Sequence, residues 1–248
     1  MTEAFCKFLD WDSQFFGFRI AQATVNQLDP QSAQVIQAWC REQEIDCLYF
    51  LAPSDEPATI RLAEEDGYRL VEVRLDFERK LTGWDPNTRP RATSDVHIRL
   101  AQPQDIPTLQ DIAENSYINT RYYNDDRFLE NKCQELYRIW IKRSCEGHAQ
   151  MALVAEVDGQ IQGYITGYRK AHKPEGQFDL TGVRHAVRRG GIGQELFRSG
   201  LDWYANAGVE YIGVTTQGRN IPTQRMIQRN GFITRSCQLY YHKWFSEI

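Results

Sequence analysis

"VRHAVRRGGIGQELFRSGLDWYANAG", residues 183–208, is the stretch on which the fold turns. It begins where the apolar strand "GQFDLTGV" (176–183) ends and runs into an amphipathic helix, with Arg188-x-x-Gly191-x-Gly193 at the junction. Glycines let the backbone approach a ligand closely, and the free N–H groups of a helix's first turn can bind phosphate. Taken alone, the turn reads equally well as a flexible link before a helix. It is not a Walker A loop, because no Gly-Lys-Ser/Thr follows. A dinucleotide fold would need parallel βαβ units and an acidic residue on the next strand, which instead ends "VTTQGRN" (214–220).

Upstream, "VHIRLAQPQDIPTLQDIAENSY" (96–117) reads as strand, turn and helix, the helix opening around Asp105. "RFLENKCQELYRIWIKRSC" (127–145) spaces Leu129, Cys133, Leu136, Tyr137, Trp140 and Ile141 as a helix face. "MALVAEV" and "IQGYITGYRK" are strands joined by Asp158-Gly159, a hairpin signal. The second half is therefore α+β, a mostly antiparallel sheet with helices.

Sliding the chain on itself by 164 residues lays 38–80 over 202–244 without a gap. Trp39 meets Trp203, Ile45 meets Val209, Arg61 meets Arg225, Gly67 meets Gly231, Leu75 meets Leu239 and Phe77 meets Tyr241. Each copy reads as helix, strand, short helix, Gly turn and alternating strand. "KLTGWDPNTRPRATSD" (80–95), without hydrophobic period, marks the boundary, giving domains over 1–85 and 96–248.

Composition sets the outer limits. A net charge of −4 disfavours attraction to nucleic acid, and no run of ~18 apolar residues suits a membrane span. The N-terminus lacks a signal-peptide pattern. The six cysteines form no C-x-x-C and have no His at zinc spacing, so they read as reduced thiols in a cytoplasmic protein without a metal site.

From Val96 to Phe245 the sequence resembles the GNAT superfamily of acetyl-coenzyme A-dependent acetyltransferases. Arg188, Gly191 and Gly193 match the family's pyrophosphate loop, with Arg189, Gly190, Ile192 and Gln194 supplying neighbouring backbone. Val183 matches the strand that binds the pantetheine arm, Asn220 the Asn after the next strand, and Asn230-Gly231-Phe232 the turn closing the last helix. The resemblance implies a GNAT fold, a mixed sheet with splayed central strands flanked by helices, and acetyl-CoA as co-substrate. The first half, with Thr24 to Asp29 in place of the loop, looks like a degenerate GNAT-like copy. "WDSQFFGFRIA", "SYINTRYYNDDRF", "YRIWI", "TTQGRN" and "YYHKW" narrow the resemblance to nucleotide-sugar amine N-acetyltransferases of the TDP-fucosamine type.

That resemblance implies direct transfer to a neutral sugar amine, with a backbone N–H, that of Val183, on the oxyanion. Where the family has a proton-donating Tyr, seven residues after the Asn, this chain has Ile227. Tyr168, Tyr240 and Tyr164 are the substitutes to test, with His148 and His172 as bases. Arg121 and Tyr123 fall in the loop where the sugar-nucleotide enzymes bind substrate; an Arg suits a diphosphate and a Tyr can stack on a base or sugar. Two readings stay open: an N-acetyltransferase acting on an amino-deoxysugar nucleotide or another small amine or peptide, or a weakened coenzyme A-binding module. Self-association as a homodimer is left open too.

Overall fold

The computed structural model describes residues 5–85 and 96–245. The expected linker over 80–95 thus falls largely outside the described residues. The first half runs β1 (Cys6–Phe8), α1 (Asp10–Phe16), β2 (Ile20–Ala23), α2 (Pro30–Glu42), β3 (Cys47–Pro53), α3 (Pro57–Glu65) and β4 (Arg69–Lys80). The second runs β5 (His97–Leu100), α4 (Ile106–Glu114), α5 (Glu130–Arg143), β6 (Met151–Val157), β7 (Gln160–Arg169), β8 (Glu175–Val183), α6 (Ile192–Asn206), β9 (Tyr211–Gln217), α7 (Ile221–Arg229) and β10 (Ile233–Trp244). At the offset of 164, β3 falls on β9, α3 on α7 and β4 on β10, end to end.

All ten strands form one mixed sheet in the order β1-β2-β3-β10-β4-β9-β8-β7-β6-β5. Each half has given its last strand to the other. β10 pairs antiparallel with β3, and β4 pairs antiparallel with β9, leaving β10 and β4 side by side at the seam. Alternation along β4 explains the packing. Leu75 and Phe77 point into the core under α6, with Ile165, Phe178, Leu196, Phe197, Val214 and Ile227. Leu239 lies opposite Val73, so α2 and α3 cover the same face of the sheet through Ile36, Cys40, Ala63, Phe50 and Tyr241. The other face is covered by α4 and α5, through Leu109, Ile112, Leu136, Tyr137 and Ile141 against Val154 and Tyr164. The β6–β7 turn has Asp158 at φ +51° and Gly159 at φ +73°, both positive as a two-residue hairpin requires. Among the described residues no helix is long and apolar enough to cross a membrane.

Candidate active site

The parallel strands β8 and β9 pair only over Glu175–Phe178 and Tyr211–Val214. Beyond Phe178 and Val214 they diverge, and the sheet opens into a V. A bulge on β8 helps to start the divergence: Asp179 and Leu180 together oppose the single Thr166, whose Oγ1 accepts the Leu180 N–H at 3.0 Å.

At the far end of β8 stands the first turn of α6. Its N-cap is Gly191, at φ +86°, with no side chain satisfying the helix's free N–H groups. Arg188 and Arg189 are exposed beside it, the latter at φ +72°. Arg188 Nε donates to the Val183 carbonyl at 3.1 Å, tying the loop to β8. A Cβ on Gly193 would stand 3.3 Å from Met226 Sδ and 3.8 Å from Val183 Cγ2, so the glycine lets α6 sit tightly between α7 and β8. Gln194 is bonded to Asn230, and Asn220 caps α7 by accepting the Thr223 N–H at 3.3 Å. Val183 and the Arg188–Gln194 loop thus stand where the V opens beside uncapped helical N–H groups, and Asn220 stands after β9 at the start of α7. That set fits an acyl-thioester arm ending in phosphates.

The matching place in the first half is closed. Asp29 caps α2, its Oδ1 accepting from the N–H groups of Gln31 and Ser32 at 2.9 and 2.8 Å. A carboxylate of the chain itself occupies the anion position that α6 leaves open.

On the α4/α5 side the V is lined by polar groups. Asp179, the first residue beyond the last β8–β9 pair, is exposed along one side; burial by its surroundings nonetheless raises its carboxyl, with His148 opposing. Burial also raises the Tyr168 hydroxyl; Asp179 adds to the effect, and Lys170 and Arg74 oppose it. Asp179, Tyr168 and Arg74 are thus within electrostatic reach across the V. A lone acid inside the apolar run "GQFDLTGV" was the sequence signal for Asp179, which the motif comparison passed over.

The other expected site residues lie elsewhere. Ile227 has no exposed surface and is a core residue beneath α6. Tyr164 is buried, its hydroxyl 3.0 Å from that of Tyr117. Tyr240 sits on β10, two strands from β9, and its hydroxyl donates to Gln22 Oε1 at 3.0 Å. Tyr123 packs against the cluster under α4 and α5, and burial pushes its hydroxyl up to about 12.

Arg121 is enclosed by its own chain. Its guanidinium lies 4.0, 4.2 and 4.4 Å from the ring centroids of Tyr49, Tyr122 and Tyr240. One nitrogen donates to the Tyr122 hydroxyl at 2.6 Å, and another stands 3.3 Å from His242 Nε2. His242 is fully buried, and burial pulls it down to about 4 despite Asp125. The neutral ring donates Nδ1–H to Asp125 Oδ2 at 2.7 Å and turns its Nε2 lone pair to Arg121. Arg121, His242 and Asp125 thus fasten the 117–129 loop to β10. The loop also reaches β4, through Arg121 N–H to Glu72 and Asn124 to the Val71 carbonyl. A cavity of ≈ 120 Å³ remains at this seam, lined by Glu72, Asn119, Asn124, Gln217 and Arg219 among others.

Comparison with known proteins gives concordant matches. The model of the Acetyltransferase (GNAT) family matches residues 113–232. The chain is 22% identical over 237 residues to a dTDP-fucosamine acetyltransferase of Escherichia coli, covering 94% of this chain and 96% of that protein. It is 24% identical over 143 residues to the spore coat polysaccharide biosynthesis protein SpsD of Bacillus subtilis, covering 58% of this chain but only 49% of that protein. Among solved structures, a GCN5-related N-acetyltransferase from Sphaerobacter thermophilus superposes with a TM-score of 0.66 at 15% identity, over 98% of this chain and 76% of its own.

Proposed function

We propose that the chain, which the Acetyltransferase (GNAT) family model matches over residues 113–232, is an N-acetyltransferase acting on the amine of an amino-deoxysugar nucleotide, of the dTDP-4-amino-4,6-dideoxyhexose type. The observation that carries the reading is the opening of β8 from β9 beside the uncapped first turn of α6. Acetyl-CoA supplies the activated acetyl group. Arg188 to Gln194 and Asn220 would hold its phosphate end, and Val183 its arm. The end-to-end likeness to a dTDP-fucosamine acetyltransferase supports the sugar.

The chemistry of the chain's own groups is proton handling. An amine reaches the site as an ammonium ion and attacks only after losing a proton. Asp179 stands at the mouth of the V on the α4/α5 face, and its raised carboxyl makes it a better base than an ordinary aspartate. Ile227 carries no transferable proton and is sealed in the core, so it does not serve the departing thiolate. A thiol's pKa of about 8.5 makes that a tolerable omission near neutral pH.

Thiol release from acetyl-CoA with dTDP-4-amino-4,6-dideoxygalactose, a free amino sugar and spermidine tests the proposal. The expected order of kcat/KM places the sugar nucleotide first by at least tenfold. A preference for spermidine would replace the sugar reading with a polyamine one.

A further inference from the structure

The strand exchange has a chemical consequence on the open face of the sheet. β4 belongs to the first half of the chain, yet it runs beside β9, one arm of the V. Since Leu75 and Phe77 point into the core under α6, Arg74 and Asp76 stand on the opposite face, the one that carries Tyr168 and Asp179. Asp76 is the hub of a compact polar group there. Its Oδ1 accepts from Thr215 Oγ1 at 2.6 Å and from Arg74 Nε and Nη2 at 3.1 Å each; its Oδ2 accepts from Ser236 Oγ at 3.0 Å. Thr215 is the first residue of β9 beyond its pairing with β8, as Asp179 is of β8. The two therefore face the V from its two arms, and all four members of the group are only part-buried.

An ionised carboxylate can only accept hydrogen bonds, so the hydroxyl protons of Thr215 and Ser236 are both directed at Asp76. What these hydroxyls present to the cleft is lone pairs. We propose that Arg74, Asp76, Thr215 and Ser236 form the acceptor subsite, taking an amine with a hydroxyl on one neighbouring carbon. Thr215 accepts an N–H of the amine and Ser236 an N–H or O–H of the same molecule. With one N–H held by Thr215 and a proton given to Asp179, the nitrogen lone pair is free to attack the thioester. Asp76 is a positioning residue that fixes both hydroxyls, and Arg74 holds Asp76 in place. The first half of the chain thereby contributes to acceptor selection through β4. The inference rests on acetyl transfer to an amine, not on the identity of the sugar.

Steady-state kinetics with dTDP-4-amino-4,6-dideoxygalactose and acetyl-CoA test it. Thr215→Val, which keeps the shape and removes the acceptor oxygen, is expected to raise the KM of the sugar nucleotide about tenfold. Thr215→Ser should stay within threefold of the parent. Asp76→Asn, whose amide offers protons back to the hydroxyls, should match or exceed Thr215→Val. In all three the KM of acetyl-CoA stays within twofold. An unchanged acceptor KM in Thr215→Val and Asp76→Asn, or a parallel rise for acetyl-CoA, overturns the subsite. If the parent protein does not acetylate this sugar nucleotide, the sugar reading fails by itself. The same variants are then run with the amine it does accept, and the same split in KM is required.

Discussion

Two side chains on the two sides of the sheet bear most directly on the proposed chemistry. Ile227 takes the place of a family tyrosine but is sealed among Leu196, Phe197 and Phe232. Ile227→Tyr therefore has to force a ring into a filled core. It should cost about 1–3 kcal/mol in urea unfolding and give no gain in turnover. Asp179 is the opposite case, an accessible carboxyl at the opening of the V whose surroundings raise it. Asp179→Asn should lower kcat/KM for the amine by roughly 10²–10⁴-fold while acetyl-CoA affinity stays unchanged. The base must be ionised to act, and its carboxyl is raised, so activity should fall with decreasing pH at values above the ordinary aspartate range. That acid limb should vanish from the pH profile of the variant. Sequence reading found the place of Ile227 by counting from Asn220. The lone acid in "GQFDLTGV" marked Asp179, but its proposed role depends on the bulge and the loss of pairing just beyond Phe178, which no local pattern displays.

At the scale of elements, the contrast between α2 and α6 is the informative one. Both follow a strand and pack on the same face of the sheet, but Asp29 closes one N-terminus and Gly191 leaves the other open. Gly191→Glu places a side chain at φ +86° and a negative charge among the free N–H groups. Calorimetry should then show acetyl-CoA binding lost. The junction of β8 with α6 was legible because glycine spacing at a strand-to-helix turn is a local property. The fate of the 117–129 loop was not, since its fastening depends on β10, more than a hundred residues on. Arg121 looked like a free diphosphate ligand until Tyr49, Tyr240 and His242 were placed around it. This cluster makes its own prediction. An unfolded histidine takes up a proton near pH 6.5, whereas folded His242 resists until about 4. Between those values the unfolded chain binds the extra proton, so stability is complete above pH 6.5 and declines toward pH 4. The decline amounts to about 3 kcal/mol from this group. Urea midpoints measured across that range should show it, and His242→Gln should flatten the slope.

The whole molecule is one sheet assembled from two similar halves that have traded their last strands. Sequence showed the similarity, but which strand pairs with which is a long-range choice that no local pattern encodes, and β4 and β10 carry similar alternation. The exchange means that residues 96–248 alone would lack the strand beside β9 and both neighbours of β10. Amide exchange in that fragment should show β10 and the β4-facing amides of β9 unprotected, with protection restored when residues 1–85 are added. It also means that the proposed cofactor mouth belongs to the second half while the opposite face of the V is built by both. Hydrogen exchange of the full chain with and without acetyl-CoA tests that assignment most directly. New protection is expected at amides 179–183 and 191–195, with no change at 31–33, where Asp29 already caps α2. Protection at 31–33, or none at 191–195, would contradict this assignment.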